Sequence, residues 1–268
     1  MLWIELVRLT WLEIWQSRSY RIMLVLALLA PALGIVLGSL FMVDIGKVYV
    51  DAIAASSQVL AMVYFIFLVV TMMSRDIFDR ICYMLLTPPV TRMDYYIGRF
   101  VGFQMGFVAL LLLLLLSSAI VGLLYIGEKP AFYQSGFSPW LLAWMVFFHF
   151  VQYISILGVI FFIVSWSSGN VETMLFSIAV LLFAWVFPPV LKAMQNPDVA
   201  SDTPGGVVLL LQWVYEVLPH LQGAEISLSL AHGVAISLAD TLLYVAEHVL
   251  YALVCFILGL LIFQRRDL

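Results

Sequence analysis

The sequence predicts an all-α polytopic membrane protein with six transmembrane helices, on the evidence of its composition and of its apolar segment lengths. Of the 268 residues, 65% are hydrophobic and 10% are charged, whereas soluble domains average about 25% charged residues. Because one soluble core cannot bury this apolar excess, lipid must solvate most of the chain. Six stretches also reach the roughly 20 apolar residues that cross a bilayer core. These predicted spans, all within one transmembrane domain covering 1–268, are 22–43, 53–73, 101–126, 140–166, 173–191 and 241–263.

The segment before the first span, residues 1–19, predicts an amphipathic helix that lies at the membrane interface. Its polar residues occupy one broad sector of a helix, and its tryptophans lie outside the centre of that sector, as interfacial helices require. An ordinary helix packed on the rest of the protein remains the alternative. The polar residues are Glu5, Arg8, Glu13 and Gln16, and the tryptophans are Trp3, Trp11 and Trp15.

The distribution of basic residues predicts the orientation in the membrane. With six spans, one set of connecting segments contains both termini, 74–100 and 167–172, and it carries nine arginines. The opposite set carries three lysines. Basic residues favour the cytoplasmic side, so both termini and the 74–100 segment are predicted to be cytoplasmic in a multi-pass protein of the inner (cytoplasmic) membrane. The nine are Arg8, Arg18, Arg21, Arg75, Arg80, Arg92, Arg99, Arg265 and Arg266, and the three are Lys47, Lys129 and Lys192.

The segment 192–240 is predicted to be extracytoplasmic and broken into short helices. The apolar pieces at 207–218 and 226–239 are too short to cross a bilayer, so they either lie on the outer surface or enter the membrane as a re-entrant hairpin. This segment is the candidate contact surface for an extracytoplasmic partner. The net charge of −4 excludes a broad nucleic-acid-binding surface.

Seven charged side chains are concentrated in one run, residues 75–100. If 76–86 is helical, its polar and apolar residues form two opposite stripes, and the helix ends before the proline pair at 88–89. Thr91 and Asp94 have the spacing of a capping box that starts the next helix. The run therefore predicts a short docking helix with a polar stripe facing the cytosol, followed by a rigid corner. A solvated loop that only sets the topology is the alternative. The polar stripe is Asp76, Asp79, Arg80 and Tyr83, and the apolar stripe is Phe78, Ile81, Cys82 and Leu85.

The same run resembles the permease subunits of ABC-2 type transporters. The pattern consists of RD at 75–76, LLTPPVTR at 85–92 and IGR at 97–99, and the ending FQRRDL at 263–268 is also similar to that family. Six spans, an N-terminal interfacial helix and a broken outer segment before the last span match the family architecture.

The resemblance implies a transport subunit, not an enzyme, that a separate ATPase drives during export. The chain contains no G-x-x-x-x-G-K-[ST] phosphate-binding loop, so ATP and Mg²⁺ are expected on two copies of the ATPase, with no cofactor on this chain. A second copy of the chain completes the expected assembly, and 75–90 would form the coupling helix and proline corner. The implied ATPase contacts are Asp76, Phe78, Asp79, Arg80, Ile81, Tyr83 and Met84, with Arg92 bracing the corner or binding phospholipid headgroups.

Two polar groups within the spans are candidates for a translocation path. Glu247 and His248 lie near the start of the last span, where an ionisable residue suggests either function or an interfacial position. His149, Gln152 and Tyr153 form a polar patch in the fourth span. Hydrogen bonding between helices is the simpler explanation for that patch. No paired carboxylates or metal-binding cluster stands out in the sequence.

Two further functions remain open from the sequence. The first is an ABC-2-like permease that transmits mechanical work to an extracytoplasmic partner, as in metalloprotein maturation, with 192–240 as the contact surface. The second is a stand-alone membrane enzyme or channel. The sequence names no substrate.

Overall fold

The computed structural model describes residues 2–40, 44–79, 81–82, 90–128, 130, 136–194, 205–219, 221, 226, 229, 232–234 and 236–266, and none of these residues is in a β-strand. The longer elements among these residues are helices. In chain order the helices are α1 Leu2–Gln16, α2 Arg18–Leu40, α3 Ile45–Tyr64, a π-helical segment Phe65–Val70, α4 Thr71–Phe78, α5 Arg92–Tyr125, α6 Pro139–Trp166, α7 Asn170–Met194, α8 Gly205–Val217 and α9 Leu238–Arg265.

Six helical segments are long and apolar enough to cross a membrane, which confirms the predicted fold class of an all-α polytopic membrane protein. The second of these segments runs without a break through α3, the π-helical segment and α4. Several helices extend beyond the apolar windows of the sequence, because backbone hydrogen bonding continues into turns that lie outside the apolar stretch. The six segments are Arg18–Leu40, Ile45–Phe78, Arg92–Tyr125, Pro139–Trp166, Asn170–Val190 and Leu238–Arg265.

The outward surface of the bundle is apolar, as lipid solvation requires. Leu33 is 61% exposed on α2, Leu124 is 65% exposed on α5, and Leu250 is 60% exposed on α9. Leucines exposed to this degree along several helices would be costly in water but are neutral in hydrocarbon.

The helix predicted over 76–86 is wrong at its start. α4 ends at Phe78, and Asp79 is its C-cap residue with φ −83° and ψ 7°, so Asp76 belongs to the last turn of the second span. Arg80 and residues 83–89 lie outside the described part of the chain. The predicted capping box is confirmed, because the Thr91 side chain accepts from the Asp94 N–H and the Asp94 carboxylate accepts from the Thr91 N–H.

The centre of the bundle is built from aromatic rings on α5, α6 and the π-helical segment. Phe65 stacks on Tyr153 with ring centroids 5.4 Å apart, and Phe107 meets the same tyrosine edge-on at 5.4 Å. Offset-stacked and edge-on aromatic contacts stabilise a packed core beyond the area they bury. A π-helical turn adds a residue to the helix and is often found at functional positions.

The helices α6 and α9 run parallel, so both end at the same side of the bundle. A Cβ atom on Gly158 of α6 would lie 2.9 Å from the carbonyl oxygen of Ala252, and one on Gly259 of α9 would lie 3.0 Å from the Cα atom of Phe162. Close approach at small residues is the usual way that membrane helices pack. The parallel pairing brings the C-terminal turn of α9 next to the end of α6.

Candidate functional site

A buried charge cluster joins α1, α4 and α5 at one end of the bundle. Arg99 of α5 is 1% exposed, and its guanidinium forms an ion pair with the fully buried carboxylate of Asp76. The Arg99 Nη1 atom donates to Glu13 Oε2 of α1 at 2.5 Å and to Thr10 Oγ1 at 3.1 Å. The Tyr95 hydroxyl donates to Asp76 Oδ2 at 3.0 Å. One guanidinium thus connects two carboxylates from two other helices.

Glycines on α5 allow α1 to reach this cluster. Gly98, Gly102 and Gly106 share a helical face with Arg99, and α1 packs against that face. A Cβ atom on Gly98 would lie 2.5 Å from Leu6 Cβ, and one on Gly102 would lie 2.5 Å from Thr10 Cβ. Cβ atoms essentially never approach that closely, so only glycine permits this separation of the two helices.

The packing places α1 lengthwise along the first turns of α5. Leu6 meets Gly98, Thr10 meets Gly102, and Ile14 lies beside the next glycine of the same face. The opposite face keeps apolar side chains exposed, with Trp15 at 51%. The interfacial position predicted for 1–19 therefore stays a prediction, and the structure adds that α1 is also a packed element.

The cluster carries one more negative than positive side chain, counting Asp76, Glu13 and Arg99. Glu13 is 31% exposed, so water solvates part of the second carboxylate. Arg75 lies 4.0 Å from the other Asp76 oxygen and is 49% exposed. Because a buried charge without its partner costs about 3–5 kcal/mol, the three helices are expected to move together or not at all.

Two further arginines connect helix ends at this same end of the bundle, which we call the arginine-rich end. The Nη1 atom of Arg92 donates to the carbonyl oxygens of Phe263, Gln264 and Arg266 at 3.3, 2.7 and 2.9 Å. In this way the first residue of α5 caps the C-terminal turn of α9, where carbonyl groups lack helical partners. The predicted role of Arg92 in bracing the corner stays a prediction, because the proline pair at 88–89 lies outside the described residues.

Arg266 makes a similar connection from the end of α9. Its Nη1 atom donates to the carbonyl oxygens of Val164 and Ser165 at 3.2 and 3.4 Å, and its guanidinium lies 5.0 Å from the centre of the Phe78 ring. Arg266 therefore connects the end of α9 with the ends of α6 and of the second span.

The residues predicted to contact an ATPase do not form one exposed stripe. Asp76 is fully buried, which contradicts its predicted position on a stripe that faces the cytosol, because Arg99 and Tyr95 bind its carboxylate inside the bundle. Phe78 is half-buried, and Asp79 is exposed. Ile81 is half-buried, whereas Arg80, Tyr83 and Met84 lie outside the described residues. Among the described candidates, Asp79 is the only one with an exposed side chain, and it could contact a partner directly.

Most of the polar residues proposed for a translocation path are buried in the structure. His149, Gln152 and Tyr153 are buried in α6, and the Tyr244 hydroxyl of α9 donates to Gln152 Oε1 at 3.4 Å. This contact supports hydrogen bonding between helices as the role of Gln152. His248 is also buried, with its Nδ1 2.9 Å from the Tyr244 carbonyl oxygen.

The two neighbouring residues of α9 differ, since His248 faces the interior and Glu247 is exposed. The His149 Nδ1 atom lies 2.8 Å from the Met145 carbonyl oxygen, within one helical turn. These contacts lie within a helix or between neighbouring helices, and a translocation path at these residues stays a prediction.

The sequence pattern does not predict that Arg99 is the central residue of a buried cluster. In the sequence, Arg99 stands out as a basic residue that favours the cytoplasmic side and as part of the IGR motif at 97–99, and Glu13 as part of the polar sector of α1. The position of Arg99 is the signal that could have identified it. Three glycines spaced four apart on one helical face indicate that another helix packs closely there, and Arg99 lies on the same face. A charge on such a face needs a buried partner.

The fold and this site define a polytopic α-helical membrane protein whose helix ends are held by buried and capping arginines. The chain matches no family model and no curated protein sequence.

Proposed function

We propose that the chain is the membrane subunit of an ABC-2 type transporter, driven by a separate ATPase to export a substrate across the inner membrane. The proposal starts from the resemblance at 75–76, 85–92, 97–99 and 263–268. The observation that carries it is that the described parts of this pattern meet at the arginine-rich end. Arg92 caps the ending at 263–266, and Arg99 pairs with Asp76.

The contacts supply a route for mechanical coupling. A partner that pushes on the segment after α4 would act on Asp76, and through Arg99 on α5 and α1. The Phe78–Arg266 contact leads from the same segment to the ends of α6 and α9. Because packed interfaces respond as units and do not deform continuously, movement of this segment would be passed to several spans at once.

The proposed assembly contains two copies of the chain and two ATPase subunits. ATP and Mg²⁺ belong to the ATPase, because the chain carries no phosphate-binding loop. The exposed Asp79 and the neighbouring Arg80 are the proposed polar contacts with the ATPase, and the buried Asp76 acts only through its partners.

The test is purification of the chain from its native membrane in mild detergent, followed by identification of the proteins that accompany it and by an ATP hydrolysis assay. We expect a second protein with a phosphate-binding loop, and turnover that disappears when the chain is purified alone. Robust ATP hydrolysis by the lone chain, or purification without any ATPase, would contradict the proposal.

A charge reversal tests the contact itself. Arg80→Glu is expected to lower association with the ATPase by about thirtyfold or more, because a mispaired interface charge costs about 2–5 kcal/mol. Lys129→Glu, in a loop predicted on the opposite side, is the matched control and should leave association unchanged. Equal association of both variants and the parent would show that the segment after α4 is not the contact.

A further inference from the structure

An open cavity of about 470 Å³ lies at the arginine-rich end, between the turn that follows α6 and the last turn of α9. Its lining combines basic, hydroxyl and apolar side chains, and none of the described residues that form it is acidic. The lining residues used below are Trp166, Ser168, Ile262, Arg265 and Arg266.

The two arginines of this cavity differ in the hydrogen bonds that their side chains already make within the protein. The side chain of Arg265 is exposed and makes no hydrogen bond or ion pair with any residue that the structure describes. Arg266 is held at the rim by the carbonyl oxygens of Val164 and Ser165. Partial burial lowers the pKa of the Arg266 guanidinium, so its charge is incompletely hydrated and would gain from an anion.

Among the described residues, the carboxylate close to the turn after α6 is already engaged. The Glu172 carboxylate accepts from the Ser168 N–H at 2.7 Å, in the first turn of α7, and it is not part of the cavity lining. The side chain of Ser168 is exposed, so its hydroxyl can donate to a ligand. The cavity therefore offers two guanidinium groups and a hydroxyl to an anion.

Apolar side chains continue from the cavity along the outside of the bundle. Trp166 is 57% exposed at the end of α6, and Leu258 and Leu261 of α9 are 46% and 48% exposed. Tryptophan is enriched where the hydrocarbon core meets the headgroups. The basic groups thus lie at the end of a lipid-facing surface, where a headgroup would be found above its own acyl chains.

We propose that this cavity binds the phosphate of an anionic phospholipid, with Arg265, Arg266 and Ser168 contacting the headgroup and the acyl chains lying along α9. Basic pockets between helix ends are the known form of such sites. The apolar surface that leads away from the cavity favours a lipid over a soluble phosphate. This inference does not depend on the proposed transport function.

The experiment is native mass spectrometry of the full chain in mild detergent, titrated with phosphatidylglycerol and, separately, with phosphatidylcholine. We expect phosphatidylglycerol to bind more tightly, and Arg265→Gln to weaken its binding about fivefold, since one basic residue near an anionic headgroup contributes about that factor. Arg265→Lys should retain most of the binding. Arg18→Gln, an exposed arginine outside the cavity, is the matched control and should bind as the parent does.

Three outcomes would overturn the proposal. The first is equal binding of the anionic and zwitterionic lipids by the parent chain. The second is an equal loss in Arg265→Gln and Arg18→Gln, which would indicate general charge attraction and no defined cavity. The third is full displacement of phosphatidylglycerol by excess glycerol phosphate, which would identify the ligand as a soluble anion.

Discussion

The guanidinium of Arg99 and the carboxylate of Asp76 form an ion pair in which neither side chain reaches solvent. The two residues lie on different helices, one near the start of α5 and one in the last turn of the second span. Tyr95 donates a further hydrogen bond to the same carboxylate. The pair therefore decides how the two helices are held together at the arginine-rich end.

Replacing Arg99 by Met should lower the free energy of unfolding by about 3–5 kcal/mol, because Asp76 would remain buried without its partner. Unfolding in mixed detergent micelles, followed by circular dichroism, measures this loss. Arg75→Gln is the matched control, since Arg75 is 49% exposed and an exposed pair contributes about 0–1 kcal/mol.

The double variant Asp76→Asn with Arg99→Met separates the loss of the pair from the cost of a stranded charge. We expect it to be more stable than Arg99→Met alone, because no fully buried charge is left and water solvates part of Glu13. If Arg99→Met were as stable as Arg75→Gln, the burial of this pair would have no energetic consequence.

Gly102→Ala should loosen α1 from α5. The added Cβ atom would lie 2.5 Å from Thr10 Cβ, and overpacking of this kind typically costs about 1–3 kcal/mol. Hydrogen exchange at the amides of α1 should become faster, because the helix loses its packing surface. Gly169→Ala is the control, as nothing lies within 4 Å of the Cβ position there. Unchanged exchange in α1 would mean that the two helices can separate slightly at no cost.

Arg92→Gln should fray the end of α9. The substitution removes a charged donor from three carbonyl groups, and hydrogen bonds to charged groups contribute about 1.5–3 kcal/mol where they are shielded from water. Hydrogen exchange in the last turn of α9 should accelerate, whereas the first turn of that helix should not change. Arg21→Gln, which removes one exposed bond to the Gln16 carbonyl, should leave α9 unaffected.

The orientation in the membrane is tested by labelling single cysteines in a chain from which Cys82 and Cys255 have been removed. Val234→Cys, at a 58% exposed position in the predicted outer segment, should react with an impermeant reagent added to intact cells. Ser168→Cys, in the exposed turn between α6 and α7, should react only after the membrane is opened. The reverse pattern would invert the topology predicted from the basic residues.

The fold class and the start of α5 were predictable because local features determine them. An apolar stretch of sufficient length must form a helix in lipid, since every backbone polar group has to be satisfied within the segment. The capping box at Thr91 and Asp94 involves residues three apart, and the structure has it. The position of Asp76 was not predictable in this way, because helical periodicity places it on a polar stripe without indicating what covers that stripe.

By itself, the sequence determined that this chain is a six-span α-helical membrane protein, because the free energy of placing a segment in lipid is a sum over its own residues. Only the tertiary structure decided which charges are solvated and which are buried. Asp76 and Asp79 are three residues apart and chemically equivalent, yet the first is enclosed and the second is exposed. The difference arises because Arg99 and Tyr95 of α5 bind the Asp76 carboxylate inside the bundle, whereas Asp79 is the C-cap residue at the helix end.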